Sequence, residues 1–342
     1  MNKPQNLARL EDVAKLAGVS LGSASRALSV PNQVKPKTLA KVMTAVSQLG
    51  YVRNGAARAL ASRKTGSIAV IYPTLKNPMF ANSIDSLQQT LAELGYQLII
   101  GSHEYNPEGE LSVVRAIVER SIDGIILIGA DHDDGIFNLI RQRNLPYVLT
   151  WSVDETDYQH KVGFSNHFAA YEMACRVVAK GHKHIAYCGG PTMHNERSRA
   201  RLSGTLAGLK EAGLDIPVEW IIEAPFSIEG GEYAIDKLWQ GKYHPTALIC
   251  GTDLHAIGAV HECARRGIDV PASLSITGFD DIDFARITTP PLTTVRVPIN
   301  EIGVRTAKKI VALIENQEMT EDERLTTEII ERGSLAPPPP HK

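Results

Sequence analysis

From Ser67 onward, short runs of β-branched and other apolar residues alternate with amphipathic stretches at steady intervals. Strands that are apolar along their whole length and alternate with helices are typical of parallel sheets buried between helices. The predicted strands span 67–72, 96–102, 123–129, 147–151, 184–189, 246–250 and 273–279. The predicted helices span 81–94, 110–120, 167–180, 201–212, 230–240 and 253–266. The pattern predicts an α/β fold of doubly wound parallel sheets.

The length of this α/β part predicts two lobes. It is about 270 residues long, more than one such core usually holds, and the strand–helix pattern restarts near residue 165. We assign 67–163 and 295–325 to the first lobe, and 164–294 and 326–335 to the second. Because ligands of such folds bind beyond the carboxyl ends of the strands, we expect a binding site in the cleft between the lobes.

The charge of the chain is distributed unevenly. The first 64 residues carry eleven basic and two acidic side chains, a net charge of +9, whereas the whole chain of 342 residues has a formal charge of -2. The rest of the chain therefore carries a charge of -11. A basic segment attached to an acidic protein indicates that this end binds a polyanion such as nucleic acid.

Other features limit the classes of protein that fit. No apolar run approaches the roughly 18 residues of a membrane helix, and no signal peptide is recognisable, so we expect a cytoplasmic protein. The cysteines form no CxxC pair and are expected to be reduced core thiols. They are Cys175, Cys188, Cys250 and Cys263.

No motif predicts an enzyme, since GxSxG, Walker A and GxGxxG are absent from strand-turn-helix contexts. Four potential metal ligands lie close together but fit no usual zinc spacing: His182, His184, Cys188 and His194. Three carboxylates after the last predicted strand are interpreted as caps of the next helix: Asp280, Asp281 and Asp283. We expect no catalytic site, no metal ion and no cofactor.

The basic segment contains a predicted helix-turn-helix. Apolar residues at helical spacing predict a first helix over 10–17 that stops at Gly18. After a tight turn, Ser20 is a suitable N-cap for a second helix over 21–28, with Ala24 and Leu28 facing inward. This second helix exposes hydroxyl groups and Arg26, which can bond base edges and phosphates.

A third helix is predicted over 36–49 and completes one small core. Its apolar stripe consists of Leu39, Val42, Val46 and Leu49. Pro36 suits the first helical turn, and Gly50 suits the C-terminal stop.

The basic segment resembles the amino-terminal motif of the lactose/galactose repressor (LacI-type) family of bacterial transcription regulators. The matching strings are LEDVAKLAGVS over 10–20, SR over 25–26 and GYVRN over 50–54. The resemblance implies that the helix-turn-helix contacts DNA through Ser20, Leu21, Gly22, Ser23, Ser25 and Arg26. Leu21 and Gly22 occupy the pair that sets base preference, although Gly22 offers no side chain. Arg9 stands where the family usually has a threonine N-cap.

The next segment, 54–66, is predicted to be a hinge. Its alanine-rich stretch of nine residues over 54–62 is shorter than the roughly 12–15 that an isolated helix needs in water. The resemblance implies that the hinge helix pairs with its twin in a dimer and inserts Leu60 into the minor groove. Asn54 and Ala57 would add DNA contacts. The alternative is a flexible tether with no DNA contact.

The resemblance extends through the core by NPMF over 77–80, RLSG over 201–204, TDLHAIG over 252–258 and GFDD over 278–281. It implies a periplasmic-binding-protein-like core. The implied effector-binding residues are Met79, Phe80, Arg201, Phe226 and Asp253. An arginine fork and a carboxylate suit a sugar or a sugar acid. The sequence leaves open which of Arg197, Arg199 and Arg201 faces the ligand.

Together these features predict a homodimeric, ligand-responsive transcription repressor that binds a palindromic operator. Its domains are the helix-turn-helix domain (1–53), the hinge (54–66) and the two-lobed core (67–335). A proline-rich tail (336–342) is expected to be disordered. Two alternatives stay open: a solute-binding protein of sugar transport with no DNA role, and the same regulator with a purine-type effector.

Overall fold

The computed structural model describes residues 8–52, 64–154, 160–317 and 322–340. The chain divides into two compact units, Met1–Thr65 and Gly66–Lys342. The predicted DNA contacts Asn54, Ala57 and Leu60 lie outside the described residues, as does most of the predicted hinge. Within the described ranges, no helix has the length and apolar character needed to cross a lipid bilayer.

The described residues of the first unit form three α-helices at the predicted places: α1 (Leu10–Ala17), α2 (Leu21–Ser29) and α3 (Pro36–Leu49). The first ends at Gly18, whose φ of 64° is left-handed and therefore favours glycine. Arg9 makes no side-chain cap for α1, but its backbone N–H donates to the Asp12 carboxylate at 2.8 Å. The Ser20 hydroxyl accepts the Ser23 backbone N–H and caps α2, as predicted.

Alanine dominates the small core of the first unit, which lets the three helices approach closely. Its fully buried members are Val13, Ala14, Ala17, Ala24, Ala27, Val42 and Ala45. The prediction that Leu49 belongs to the inward stripe of α3 is wrong, because Leu49 is 36% exposed in the last turn of the helix. Ala45 takes the inward position instead.

The second unit contains two six-stranded sheets, one in each lobe. The first lobe holds β1 (Ser67–Tyr72), β2 (Gln97–Ser102), β3 (Gly124–Ile128), β4 (Tyr147–Thr150), β5 (Lys161–Gly163) and β11 (Glu323–Arg324). The second lobe holds β6 (Ile185–Gly189), β7 (Ile221–Glu223), β8 (Ala247–Cys250), β9 (Ser275–Asp280), β10 (Thr293–Arg296) and β12 (Glu328–Ile330).

The strand orders are β11-β5-β4-β3-β1-β2 and β12-β10-β9-β8-β6-β7. Every neighbouring pair is parallel except β10 and β12, which are antiparallel. The predicted α/β class is therefore confirmed. The sequence pattern did not reveal β5, β7, β10, β11 or β12, because each has only two to four residues, too few for a clear periodicity.

Eight α-helices of the described residues cover the sheets: α4 (Pro78–Glu93), α5 (Pro107–Val118), α6 (Asp134–Gln142), α7 (Asn166–Ala179), α8 (Glu196–Glu211), α9 (Ile228–Leu238), α10 (Asp253–Arg266) and α11 (Ile299–Ile314). Although α11 follows a strand of the second lobe, it packs against α4, β3 and β4 of the first. The chain thus crosses between the lobes after β5, after β10 and between β11 and β12. The chain re-enters the first lobe after residue 296, where β10 ends.

The start of the tail is packed, so the prediction of disorder from residue 336 is wrong at its first residue. The Ala336 carbonyl accepts the His182 Nε2–H at 2.7 Å, and the Ala336 backbone N–H bonds to Ser275 Oγ at 3.1 Å. The other ring nitrogen of His182 bonds to Thr246 Oγ1. His182 is therefore engaged in anchoring the tail to the second lobe.

Candidate effector cleft and DNA-binding face

A cavity of about 500 Å³ lies between the lobes, beyond the carboxyl ends of their strands. We call it the outer compartment. The first lobe contributes His103, Glu110 and His132 to its wall, and the second contributes Met193 and His194. The site thus lies where the parallel-sheet architecture predicts it.

A smaller cavity of about 30 Å³, the inner compartment, lies next to it. Its lining includes Met79, Phe80, Trp151, Ser198 and Thr252. The two compartments share four lining residues and are therefore adjacent parts of one cleft: Tyr105, Asn195, Arg197 and Phe226.

Four of the effector-binding residues implied by the resemblance lie together around the inner compartment: Met79, Phe80, Arg201 and Phe226. Asn77 caps α4 by accepting the Met79 backbone N–H, and this places Met79 and Phe80 in the first turn of the helix. Phe226 lies over Gly190, where an added Cβ atom would come within 1.9 Å of the ring. Only glycine at this position leaves room for Phe226.

Arg201 is held rigidly by neighbours that the sequence does not reveal. Its side chain is 8% exposed. Nε donates to Asn166 Oδ1 at 2.9 Å, and Nη1 donates to the Gly251 carbonyl at 2.6 Å. The guanidinium also lies 3.8 Å from the centre of the Phe279 ring, a favourable cation–π geometry. Burial lowers the pKa of Arg201 from its usual value.

The sequence interpretation assigned Asp280, at the end of β9, to a helix cap and did not place it beside Arg201. This residue is 1% exposed, and its Oδ1 lies 3.6 Å from Arg201 Nη1 without a hydrogen-bond partner. Burial raises its pKa well above the usual value, and the nearby Arg201 opposes that rise. Asp280 lines neither compartment, so it acts on the cleft through the neighbouring Arg201.

The interpretation of the three carboxylates as helix caps is wrong. The turn after β9, Asp283–Arg286, has Ile282 at its N-cap position and no side-chain cap. Asp281 instead forms ion pairs with Arg296 and Arg332. Asp283 pairs with Arg286 at the surface.

Asp253 lies apart from the residues that line the cleft. It is 0% exposed, and both of its carboxylate oxygens are engaged within the second lobe. Oδ2 accepts the Ile282 backbone N–H at 2.9 Å, and Oδ1 accepts the Thr294 hydroxyl at 2.5 Å. Asp253 therefore joins α10 to the loop after β9 and to β10. Burial raises its pKa to about 6.

This raised pKa predicts a pH dependence of stability. The folded state favours protonated Asp253. The contribution of Asp253 to the free energy of unfolding is therefore largest below its unfolded-state pKa and is lost as the pH rises through about 6. Between pH 7 and pH 5, the wild-type free energy of unfolding should rise by about 1 kcal/mol relative to Asp253→Asn. Urea unfolding of both proteins at the two pH values measures this difference. Parallel pH profiles would contradict the expectation.

The structure separates the roles of the three arginines that the sequence leaves open. Arg197 lines both compartments, and Arg201 lines the inner one. Arg199 points to the surface, where its side chain is 48% exposed, pairs with Asp131 at 2.8 Å and donates to the Thr192 carbonyl.

Several contacts cross the cleft and hold the lobes together. Tyr105 of the first lobe stacks on Phe226 of the second, with ring centres 4.9 Å apart. The Glu196 carboxylate accepts the Ala130 backbone N–H at 3.0 Å. Asn166 donates to the Trp151 carbonyl while accepting from Arg201. The arginine that lines the inner compartment is thereby linked to both lobes.

In the first unit, α2 has a buried and an exposed side. Ala24 and Ala27 are buried, whereas Leu21, Gly22 and Arg26 are exposed. Because a helix repeats every 3.6 residues, these exposed positions lie on one face. This face presents an arginine and no acidic side chain, which suits the major groove of DNA.

Two family models match the chain. Residues 9–54 match "Bacterial regulatory proteins, lacI family", and residues 174–335 match "Periplasmic binding protein-like domain". Catabolite control protein A of Priestia megaterium is 30% identical over 292 residues, covering 85% of this chain and 88% of that protein. This chain belongs to the lacI family of bacterial regulatory proteins. Its predicted function as a DNA-binding transcription regulator is confirmed.

Other relatives and solved structures cover between 79% and 97% of this LacI-family chain. The HTH-type transcriptional repressor PurR of Proteus mirabilis is 30% identical over 336 residues, covering 97% of this chain and 98% of that protein. The lac repressor dimer bound to operator and the anti-inducer ONPF has the same fold, with a TM-score of 0.87 at 24% identity over 97% of this chain and 100% of that one. The transcription regulator GntR from Chromobacterium violaceum is 31% identical, with a TM-score of 0.75 over 79% of this chain and 99% of that one.

Proposed function

We propose that this LacI-family regulator is a cytoplasmic repressor rather than an enzyme, and that it binds a palindromic operator as a homodimer. A small sugar or sugar acid in the interlobe cleft would control its affinity for DNA. The observation that carries this proposal is the cleft itself, whose walls come from both lobes. Arg201 donates a hydrogen bond to Asn166 of the second lobe, and Asn166 donates one to the Trp151 carbonyl of the first lobe.

A ligand in this cleft changes the relative free energies of the open and closed lobes, because it contacts both of them at once. The segment between the two units enters the first lobe directly before β1. In a dimer, a change in the distance between the two protomers' first lobes therefore changes the free energy needed to place two helix-turn-helix units on adjacent half-sites. The proposed effector contacts are Met79, Phe80, Arg197, Arg201 and Phe226, whereas Asp280 lines neither compartment and supports Arg201. We assign Asp253 to the support of this site, since its oxygens are already engaged.

The test is DNA binding measured by fluorescence anisotropy, with a fragment from upstream of the chain's own gene and an unrelated fragment of equal length. We expect preferential binding that weakens steeply with salt, because basic side chains displace counterions from DNA. A sugar or sugar acid that raises the melting temperature should also shift the affinity for DNA. A salt slope near zero, or ligand binding with no effect on DNA affinity, would contradict the proposal.

A purine-type effector is the second candidate, favoured by the aromatic wall of Phe226 and by the similarity to PurR. Hypoxanthine and guanine therefore belong in the same thermal-shift series. A shift produced by the purines alone would replace the sugar proposal while leaving the regulator function intact.

A further inference from the structure

We propose that the effector carries a carboxylate, which enters the inner compartment and accepts hydrogen bonds from Trp151, Asn77 and Asn195 beside Arg197 and Arg201. The inference rests on the proposed function, because it concerns the ligand of the same cleft. It adds the chemical class of the effector and three residues that select it.

The first observation is an indole N–H without a partner. Trp151 is 1% exposed and lines the inner compartment, yet its Nε1 has no hydrogen-bond partner in the protein. Its ring meets the Phe80 ring edge to face, with centres 5.3 Å apart. The backbone of Trp151 is left-handed, with φ of 76°, a conformation that costs energy in a residue with a side chain. Tryptophan can only donate, so its partner must be an acceptor.

The neighbouring amides also present donors. Asn77 Oδ1 accepts the Met79 backbone N–H, and Asn195 Oδ1 accepts the Ser198 backbone N–H. With their oxygens used as caps, both side chains keep their Nδ2 hydrogens for the compartment that they line. Asn77 and Asn195 are 3% and 5% exposed, so water reaches these groups poorly.

Helix orientation, together with two guanidinium groups, favours an acceptor that is negative. The guanidinium groups of Arg197 and Arg201 line the compartment. Asn77 and Asn195 are the N-caps of α4 and α8, each of 16 residues, so two helix N-termini with partial positive charge adjoin the same space. Each arginine has one buried carboxylate beside it, because Glu196 Oε1 lies 3.7 Å from Arg197 Nε and Asp280 Oδ1 lies 3.6 Å from Arg201 Nη1. The two helix N-termini therefore supply the positive potential that these pairs leave uncompensated.

The narrowness of the inner compartment favours a small anionic group. Its volume is about 30 Å³, against about 500 Å³ for the outer compartment. A planar carboxylate is smaller than a tetrahedral phosphate and therefore suits the narrower space better. The body of the effector then occupies the outer compartment of about 500 Å³, which is ample for a monosaccharide.

The experiment compares acids with matched neutral ligands on the full-length protein by thermal shift and calorimetry. The pairs are gluconate with sorbitol, glucuronate with glucose, and galacturonate with galactose. Glucose 6-phosphate and hypoxanthine are added as separate arms. We expect at least one acid to bind at least tenfold more tightly than its neutral partner.

Two variants test the residues. Trp151→Phe keeps a ring against Phe80 but removes the donor, and it should weaken binding of the preferred acid by about 10- to 100-fold. Trp239→Phe is the matched control, because Trp239 lies outside the cleft and stacks on His244. If Trp151→Phe proves unstable, Arg197→Gln gives a second test and should reduce the preference for the acid over its neutral partner.

The outcomes separate the two proposals. Equal binding of an acid and its neutral partner, preference for glucose 6-phosphate, or unchanged acid affinity in a folded Trp151→Phe protein would overturn the carboxylate inference and leave the proposed regulator intact. Binding of hypoxanthine alone would overturn the inference and the sugar-type effector. If no ligand of the series binds, both the inference and the proposed effector class are wrong.

Discussion

Arg201→Met is expected to lower the free energy of unfolding of the core by about 3–5 kcal/mol, because it removes one partner from a buried pair of charges. Arg201 and Asp280 are 7% and 1% exposed, so the remaining carboxylate stays in a site that disfavours its charge. The substitution also removes the hydrogen bonds to Asn166 and the Gly251 carbonyl. The variant should lose ligand-induced thermal stabilisation as well. Urea unfolding and thermal shift measure the two effects.

The destabilisation by Arg201→Met should depend on pH. Because Arg201 opposes the rise in the pKa of Asp280, removing it raises that pKa further. A folded-state pKa above the unfolded value gives stability at low pH that is lost as the pH rises. The variant should therefore recover part of its stability at acidic pH. Arg199→Met removes the same charge from an exposed pair on the same helix and should cost less than about 1 kcal/mol. Similar losses in the two variants would refute the assigned role of Arg201.

Arg26→Met is expected to weaken operator binding by about 1–3 kcal/mol for each half-site, and by up to about 6 kcal/mol for a dimer. Arg26 is exposed on the same face of α2 as Leu21 and Gly22, and it contributes nothing to the buried core of the first unit. The loss should be smaller for an unrelated DNA fragment, because a base contact adds specificity while phosphate contacts act on every sequence. Anisotropy titrations on both fragments measure the difference.

The control for Arg26→Met is Arg120→Met, which removes one positive charge from an exposed position of the core and should leave operator affinity unchanged. The thermal stability of both variants should match that of the wild type, since both side chains are exposed. An equal loss of affinity on both DNA fragments would assign Arg26 to phosphate contacts and contradict its role in base recognition.

Local patterns identified many of the longer elements. The bounds of α1, α3, β1 and α10 follow from apolar periodicity, and Gly18 and Gly50 end α1 and α3 as predicted. The predicted elements do not include α6 or α11, nor the strands too short to show a period, such as β10 and β12. The prediction for Leu49 failed because the small core ends one turn before this residue.

The sequence by itself determined the alternation of the longer strands with helices and the basic helix-turn-helix, because these depend on local periodicity and on contiguous motifs. The resemblance to the family implied the group Met79, Phe80, Arg201 and Phe226, which the structure places around one compartment. Only the tertiary structure decided what each polar group faces. Asp253 and Asp280 follow apolar strands in similar ways, yet Asp253 accepts hydrogen bonds on both oxygens, whereas Asp280 forms an ion pair with Arg201 and its Oδ1 accepts no hydrogen bond. Trp151 and Asn166 were likewise revealed only by the meeting of two lobes. Hydrogen bonding and burial depend on groups distant in sequence, and local spacing does not specify them.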